Sequence, residues 1–138
     1  MFEFRCKIRV RYGETDQMGY VYYGNYASYY EVARVEMLRS LGTSYNKMEQ
    51  NGVMLPVLEL KCKYIKPARY DEELSITVKI KEMPTIRIKF DYEIHNQKQE
   101  LINVGETTLV FVDKERNKPC LPPDDFIQRM APFFKTDI

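Results

Sequence analysis

"NYASYYEVARVEMLRSLG", residues 25–42, decides the fold, because its apolar side chains recur at helical spacing in an otherwise strand-like sequence. Intervals of three and four residues place these side chains on one face of a helix and predict a single buried stripe. The members of the stripe are Tyr26, Tyr29, Tyr30, Ala33, Met37 and Leu41. Asn25 is a suitable N-cap, and Ser28 with Glu31 offers a competing capping box. Gly42 supplies a C-terminal stop, so we predict one long helix between Asn25 and Gly42.

Charged residues of this helix fall off the stripe and are predicted to face solvent. Glu31 precedes Arg34 by three residues, a spacing that favours a surface ion pair on a helix. We therefore interpret Glu31 first as a partner of Arg34 and only second as a functional carboxylate.

The segments around the helix alternate apolar and polar residues with a period of two, which is typical of strands with one wet face. Five such segments occupy residues 2–10, 58–64, 74–80, 86–94 and 101–113. The short link "EMPT", residues 82–85, predicts a hairpin between the third and fourth strands. Gly105 lies inside the last segment and suggests a bulge or a bend. Five half-buried strands indicate an antiparallel sheet.

Two further short helices are predicted at "TSYNKMEQ", residues 43–50, and "DDFIQRM", residues 124–130, the latter capped by Asp124 or Asp125. The economical arrangement of these elements is an α+β fold, in which a five-stranded antiparallel sheet wraps around one long central helix. One helix cannot cover the full width of five strands, and the sheet keeps two edges. We therefore expect a homodimer, with sheets joined edge to edge.

Length and composition limit the classes of function. The 138 residues predict one domain, residues 1–138, and a formal net charge of +1 gives no field that would attract nucleic acid or a membrane. Three widely spaced cysteines, Cys6, Cys62 and Cys120, are expected to be reduced core residues. We find no leader and no apolar run of roughly 18 residues that would span a bilayer, and we expect a cytoplasmic protein.

Most standard catalytic groups are missing from the sequence. A Ser-His-Asp or Cys-His arrangement would require His95, the single histidine, which stands beside "NQKQ" and is predicted to lie at a hairpin. Glycine-rich phosphate loops and clusters with metal-ligand spacing do not occur, so we expect no metal and no nucleotide cofactor.

Asp16, in "ETDQMG", is the acidic residue that packing does not explain. It precedes the predicted helix start by about nine residues, so a loop can fold it back towards that end. The N-terminus of a helix carries unpaired N–H donors and about half a positive charge, which stabilise a carbonyl oxygen that gains negative charge. An ionised aspartate can attack an acyl carbon or deprotonate a water molecule. The same segment also fits a plain polar turn, with Asp16 and Gly19 in ordinary turn roles.

The sequence "RVRYGETDQMGYVYYGNYASYYEVARVEMLRSLG", residues 9–42, resembles the opening of the 4-hydroxybenzoyl-CoA thioesterase family, whose members adopt the hotdog fold. The shared pattern is an arginine- and tyrosine-rich strand, D-x-x-G, a short aromatic run, Asn-Tyr, and a helix with E-x-A-R. "KYIKPARYDEELSI", residues 63–76, also resembles the stretch that follows the helices in that family.

The resemblance implies hydrolysis of acyl-coenzyme A thioesters, with Asp16 as the catalytic residue and sites completed by a second subunit. It implies an oxyanion contact from a backbone N–H near Tyr23 or Gly24, and we assign substrate contacts to Gly19, Tyr23, Gly24 and Asn25. Many bacterial acyl-CoA thioesterases of this group carry His at the position of Tyr23. Coenzyme A belongs to the substrate, so no separate cofactor is expected, and the assembly is a dimer or a tetramer. Candidate cations for its phosphates are Lys61, Lys63, Lys66 and Arg69.

Two alternatives remain open from the sequence. An acyl-carrier-protein thioesterase would depend on the carrier and act weakly on free coenzyme A esters. A non-catalytic acyl-CoA binding module would bind the ester equally well with Asp or Asn at position 16. A hotdog dehydratase is disfavoured, because that resembling group uses a histidine that has no counterpart near the helix.

Overall fold

The fold is described by a computed structural model that covers residues 1–134. The three α-helices are α1 Tyr26–Ser40, α2 Tyr45–Gln50 and α3 Asp124–Met130. The strands are β1 Phe2–Arg9, β2 Val53–Met54, β3 Val57–Tyr64, β4 Glu73–Ile80, β5 Arg87–His95, β6 Leu101–Val110, β7 Val112–Asp113 and β8 Lys118–Pro119. All three predicted helices and all five predicted strands are therefore present.

The main sheet has five antiparallel strands in the order β1-β4-β5-β6-β3. β4 and β5 form the predicted hairpin, and α1 packs across the sheet against β1 and β4. The predicted α+β architecture, a five-stranded antiparallel sheet wrapped around one long central helix, is confirmed. Ile86 was expected inside the fourth strand, but β5 begins one residue later and Ile86 is exposed. The small sheet formed by β2, β7 and β8 was not predicted, because strands of two residues carry no periodic signal.

The buried stripe of α1 is confirmed for five of its six members, Tyr26, Tyr29, Tyr30, Ala33 and Met37, whereas Leu41 is only partly buried. The prediction for Arg34 was wrong, since this side chain is buried rather than paired with Glu31 at the surface. Its guanidinium donates to the hydroxyl groups of Tyr45 at 3.2 Å and Tyr92 at 3.0 Å. Burial of a cation is tolerable here because its N–H groups meet oriented hydroxyl acceptors.

Gly105 is required for close packing rather than for a bulge. It lies in regular register, opposite Cys62 on β3 and Tyr92 on β5, and the register shifts of β6 fall elsewhere. A Cβ atom at this position would stand 2.3 Å from the hydroxyl oxygen of Tyr30, which packs directly over the glycine. The expected bulge at Gly105 is therefore absent. The glycine instead leaves room for the Tyr30 side chain to pack over β6, between β3 and β5.

Helix caps differ in detail from the sequence prediction. Ser44 caps α2 by accepting from the backbone N–H of Lys47 at 3.1 Å. At α3 the N-cap position is Pro123, and neither Asp124 nor Asp125 caps the helix through its side chain. Asp125 instead accepts from Arg129 one turn later at 2.9 Å.

β3 is the edge strand whose alternating sequence is not matched by burial. Leu58, Leu60 and Tyr64 remain 43–52% exposed, although Tyr30 and Tyr26 of α1 reach Cys62 and Tyr64 near the end of this strand. Cys62 alone among the predicted inward residues of β3 is partly buried. The three cysteines, all within residues 1–134, are unpaired and partly buried.

Candidate active site

Asp16 lies in a tight loop between residues 15 and 21. An antiparallel bridge between Thr15 and Val21 closes the loop. Inside it, the backbone N–H of Asp16 donates to the carbonyl of Tyr20 at 2.8 Å, and that of Gly19 donates to the carbonyl of Asp16 at 3.0 Å. Gly19 adopts φ +78°, a left-handed conformation that glycine accepts without strain. The structure thus brings Asp16 and Gly19 together in one turn, which we call the Asp16 loop.

The carboxylate of Asp16 is oriented by this loop on one side and open on the other. Its Oδ1 accepts from the backbone N–H groups of Met18 at 2.9 Å and Tyr20 at 3.3 Å. Its Oδ2 accepts no hydrogen bond from any of residues 1–134, and the side chain is exposed. The turn geometry that offered an alternative explanation for Asp16 therefore fixes the carboxylate while leaving one oxygen available for chemistry.

The long helix is entered through a 3₁₀ turn, Tyr23–Asn25. Asn25 occupies the predicted N-cap position of α1, but it has helical dihedrals and makes no capping hydrogen bond through its side chain, because a helical turn already precedes it. The side chain of Asn25 instead donates to the carbonyl of Glu14 at 2.8 Å. The first N–H groups of a helical segment have no partner inside it. Those of Tyr23 and Gly24 accordingly meet no acceptor within the described part of the chain.

Glu14, which the sequence analysis did not single out, joins the Asp16 loop to this helix start. Its carbonyl accepts from the backbone N–H of Tyr22 at 2.8 Å as well as from Asn25. Its carboxylate accepts from the backbone N–H of Arg11 at 2.8 Å and from the hydroxyl of Tyr29 at 3.1 Å. A signal was present in the sequence, because Tyr29 belongs to the buried stripe and a buried tyrosine hydroxyl requires a hydrogen-bond partner.

Gly24 lies in close contact with the ring of Tyr22. A Cβ atom on Gly24 would lie 2.7 Å from the ring of Tyr22. Because Gly24 has no side chain, the ring of Tyr22 can pack against the backbone at the helix start. Gly19, by contrast, has open space around its Cα.

An exposed aromatic group surrounds the helix start. The rings of Tyr22 and Tyr23 lie 4.6 Å apart, and the ring of Tyr23 meets that of Tyr64 edge-on at 6.4 Å. The hydroxyl of Tyr64, at the end of β3, donates to the carbonyl of Tyr23 at 3.2 Å. This contact places the carboxyl end of the open edge strand beside the helix start and the Asp16 loop.

Buried tyrosines form the floor beneath this region. Burial raises the pKa of Tyr26 to about 12. Burial, followed by the charge and hydrogen bond of Glu14, raises the pKa of Tyr29 well above its ordinary value. Both hydroxyl groups therefore stay protonated at neutral pH, and Tyr29 remains a donor to Glu14.

Two other carboxylates of the chain, Glu31 and Glu59, lie in different surroundings from Asp16. Glu59 pairs with Lys61 at 3.2 Å on β3, and Glu31 is exposed on α1. His95 ends β5 at the hairpin with β6, as predicted. Within residues 1–134, no three His, Cys, Asp or Glu side chains gather into a group that would hold a metal ion. None of the helices in that range has the length and apolar character needed to cross a membrane.

Comparison with known proteins gives consistent results. Residues 10–130 match the family model described as the thioesterase-like superfamily. The acyl-CoA thioester hydrolase YbgC of Escherichia coli is 35% identical over 124 residues, which cover 90% of this chain and 92% of that protein. The acyl-acyl carrier protein thioesterase ATL3 of Arabidopsis thaliana is 29% identical, over 99% of this chain and 73% of that protein. The crystal structure of a DHNA-CoA thioesterase from Staphylococcus aureus superposes with a TM-score of 0.85 at 33% identity, covering 99% of this chain and 98% of that one.

Proposed function

The chain belongs to the thioesterase-like superfamily and has the hotdog fold, and we propose that it hydrolyses acyl-CoA thioesters to a free acid and coenzyme A. Asp16 acts as nucleophile or general base, and the N–H groups at the start of the central helix polarise the thioester carbonyl. Gly19, Tyr23, Gly24 and Asn25 line the substrate site. The expectation drawn from the sequence is thus retained as the proposal.

One observation carries this assignment. Glu14 ties the Asp16 loop to the helix start, so a carboxylate with a free oxygen and two unpartnered N–H donors belong to one connected unit. Hydrolysis of a thioester needs both parts of this unit. A nucleophile, or a base that activates water, acts at the carbonyl carbon, and hydrogen-bond donors stabilise the carbonyl oxygen. One oxyanion donor contributes roughly 10²–10³ in rate.

The reaction proceeds without a leaving-group acid. In direct attack, the free oxygen of Asp16 bonds to the acyl carbon, the carbon–sulfur bond breaks, and coenzyme A leaves as a thiolate. Water then hydrolyses the resulting anhydride and restores the carboxylate. In the alternative, Asp16 takes a proton from a water molecule that attacks the same carbon. A thiolate is a good leaving group, so Tyr23 in place of histidine is compatible with either route.

The expected oligomer is supported by the edge strand β3. It leaves a row of backbone groups unpaired and the apolar side chains of Val57, Leu58, Leu60 and Ile65 exposed. Exposed apolar edges of this kind favour pairing with another chain. We assign the contact to a second copy, because two-fold pairing of identical strands closes the edge without leaving a new one. Sedimentation velocity tests this, with a dimer expected for the native chain and a monomer for Leu60→Asp.

Release of free thiol from a panel of short, long and aromatic acyl-CoA esters tests the proposed reaction. Turnover of at least one ester is expected, and the panel then identifies the preferred acyl group. No turnover of any acyl-CoA ester would instead favour a carrier-protein substrate and, if that ester is not hydrolysed either, the binding module.

A carrier-protein substrate is the second candidate, favoured by the similarity to ATL3. The two are separated by presenting the same acyl group on coenzyme A and on acyl carrier protein. A kcat/KM higher for the carrier-protein ester by tenfold or more would replace coenzyme A as the substrate carrier.

Rapid acid quench within one turnover distinguishes the two roles of Asp16. An acyl group retained on the peptide that contains Asp16, detected by mass spectrometry, indicates an anhydride. Normal turnover without that adduct indicates water activation.

A further inference from the structure

Tyr64, the last residue of β3, reaches from the main sheet to the start of the central helix. Its backbone is fixed by the sheet, because it lies opposite Asn103 of β6 in the strand register. Its ring packs edge-on against the rings of Tyr26, at 5.3 Å between ring centres, and Tyr23, at 6.4 Å. From this position the hydroxyl donates to the carbonyl of Tyr23 at 3.2 Å. The sheet therefore holds one carbonyl of the 3₁₀ turn through which the helix is entered.

The carbonyl that Tyr64 holds belongs to the same peptide unit as the N–H of Gly24. A peptide unit is planar and trans, so its C=O and its N–H point in opposite directions. A contact that fixes the carbonyl of Tyr23 therefore also fixes the direction of the Gly24 N–H. That N–H is one of the two donors at the helix start that meet no acceptor within residues 1–134.

The backbone does not need the hydrogen bond from Tyr64 to be satisfied. The carbonyl of Tyr23 already accepts from the N–H of Tyr26 within the helical turn. A carbonyl oxygen has two lone pairs, and the hydroxyl of Tyr64 meets the second one. Hydrogen bonds in series polarise one another, so a donor on the carbonyl makes the N–H of the same peptide unit a better donor. The added bond therefore acts on the Gly24 N–H at the other side of the peptide.

The hydroxyl of Tyr64 remains a donor under the conditions of the reaction. Partial burial, followed by the neighbouring Cys62, raises the pKa of Tyr64 to about 12. The side chain is therefore protonated at neutral pH, and a carbonyl oxygen can only accept. The bond consequently runs from Tyr64 to Tyr23, which is the direction that strengthens the Gly24 N–H.

We propose that Tyr64 is a positioning residue for thioester hydrolysis, an inference that rests on the proposed acyl-CoA thioesterase function. Its hydroxyl fixes and polarises the Tyr23–Gly24 peptide, and the N–H of Gly24 then stabilises the carbonyl oxygen as that oxygen gains negative charge. Tyr64 acts through the backbone of the helix start and takes no part in the bonds that form or break. Its contribution is therefore smaller than that of Asp16.

Tyr64→Phe tests the proposal because it keeps the ring and its packing and removes only the hydroxyl. One oxyanion donor contributes roughly 10²–10³ in rate, and polarisation strengthens a hydrogen bond by about 10–30%, so kcat is expected to fall roughly two- to eightfold. Tyr70→Phe is the matched control, since Tyr70 is also exposed and packs edge-on against a tyrosine, Tyr12. Its kcat is expected to equal that of the native protein. An unaltered kcat in Tyr64→Phe would overturn the proposal.

Two non-hydrolysable analogues of the substrate separate positioning of the donor from a general structural role. A trifluoromethyl ketone analogue of the acyl-CoA adds water or a nucleophile at its carbonyl carbon and presents an oxyanion. A thioether analogue of equal length has no carbonyl group. In titration calorimetry, Tyr64→Phe is expected to raise the dissociation constant of the ketone roughly two- to eightfold and to leave that of the thioether unchanged. Equal losses with both analogues would overturn the proposal, because Tyr64 would then shape the site as a whole.

The amide resonance of Gly24 reports the contact without turnover. In ¹⁵N-labelled protein this resonance is expected to shift in Tyr64→Phe, which removes a donor from the carbonyl of the same peptide, and to stay in place in Tyr70→Phe. An unshifted Gly24 resonance in Tyr64→Phe would contradict the proposal. If the native protein hydrolyses no ester, the proposed function fails, while the Gly24 resonance still decides whether Tyr64 fixes this peptide.

Discussion

The tyrosines on either side of the helix start belong to one short stretch of sequence but lie in opposite environments. Tyr26, Tyr29 and Tyr30 are at most 3% exposed, whereas Tyr22 and Tyr23 are 46% and 63% exposed. Residue type cannot account for the difference. The helical stripe turns the first group towards the sheet, while the residues before it run beside the open edge, where the chain supplies no cover.

The hydroxyl groups extend this comparison. Tyr30 contacts Cys62 at 3.3 Å and donates to Asn103, and Tyr29 donates to Glu14. The side chain of Tyr23 meets only its exposed neighbour Tyr22 and Tyr64 among residues 1–134, and its carbonyl accepts from the hydroxyl of Tyr64. The buried group therefore carries stability, whereas the exposed group is available to a substrate or a second subunit. The predictions below separate these two contributions.

Glu14 links the two groups, and among substitutions that test this comparison its removal is expected to have the largest effect. Glu14→Ala frees the Asp16 loop from Tyr29 and lowers kcat by roughly 10²-fold, because misplacement of a catalytic group by about 1 Å has a cost of that size. Glu14→Gln keeps an acceptor for Tyr29 and is expected to retain most of kcat. Steady-state kinetics of both variants check this. Equal losses in the two variants would show that the charge of Glu14, rather than its hydrogen bonds, matters.

Gly105 tests the buried group alone. Gly105→Ala places a methyl group against the ring of Tyr30 and is expected to lower the free energy of unfolding by about 1–3 kcal/mol. Urea denaturation measures this loss, and kcat per folded molecule is expected to change little. Unchanged stability would mean that Tyr30 can move off the glycine without cost.

The buried Tyr26 is expected to make the stability of the protein depend on pH in the alkaline range. Its folded pKa of about 12 lies above the ordinary value of about 10, so the folded state retains a proton that the unfolded state loses. The stability associated with the protonated form is complete below pH 10 and is lost as the pH rises through 12. Between pH 8 and pH 11, the free energy of unfolding of Tyr26→Phe is therefore expected to fall by about 1 kcal/mol less than that of the native protein. Denaturant midpoints at the two pH values check it, and parallel losses would contradict the pKa shift.

Tyr23 gives the matched exposed case and the smallest expected effect on stability. Tyr23→Phe is expected to change the free energy of unfolding by less than about 0.5 kcal/mol, as for other exposed substitutions. A larger change would place Tyr23 with the buried group.

Periodicity explains how much of this fold was predictable. The helical stripe and the period-two strands report which face is buried, and the structure confirms them for α1 and for every predicted strand except β3. They do not report side-chain networks, so Arg34 was placed at the surface although Tyr45 and Tyr92 accept from it in the interior. Gly105 was interpreted as a bulge because the approach of Tyr30 depends on a contact between distant segments.

The candidate site was predictable in part. Asp16 and Gly19 share a turn and Tyr23, Gly24 and Asn25 a helix start, as their positions in the sequence suggested. Glu14 was missed because its role depends on both its carbonyl and its carboxylate, and such a role has no sequence pattern of its own. The exposure of β3 was also hidden, because an alternating strand looks the same in the middle of a sheet and at its edge.

Replacement of Asp16 by asparagine tests the central claim most directly. Asn keeps an oxygen that can accept from the N–H of Met18, so the Asp16 loop is preserved while the carboxylate is lost. Asp125→Asn is the control, because it removes a carboxylate that pairs with Arg129 on α3. With the best acyl-CoA ester, Asp16→Asn is expected to lower kcat by roughly 10²–10⁴-fold, with circular dichroism unchanged and the control fully active. Equal turnover by native protein and Asp16→Asn would contradict the account and remove Asp16 from the mechanism.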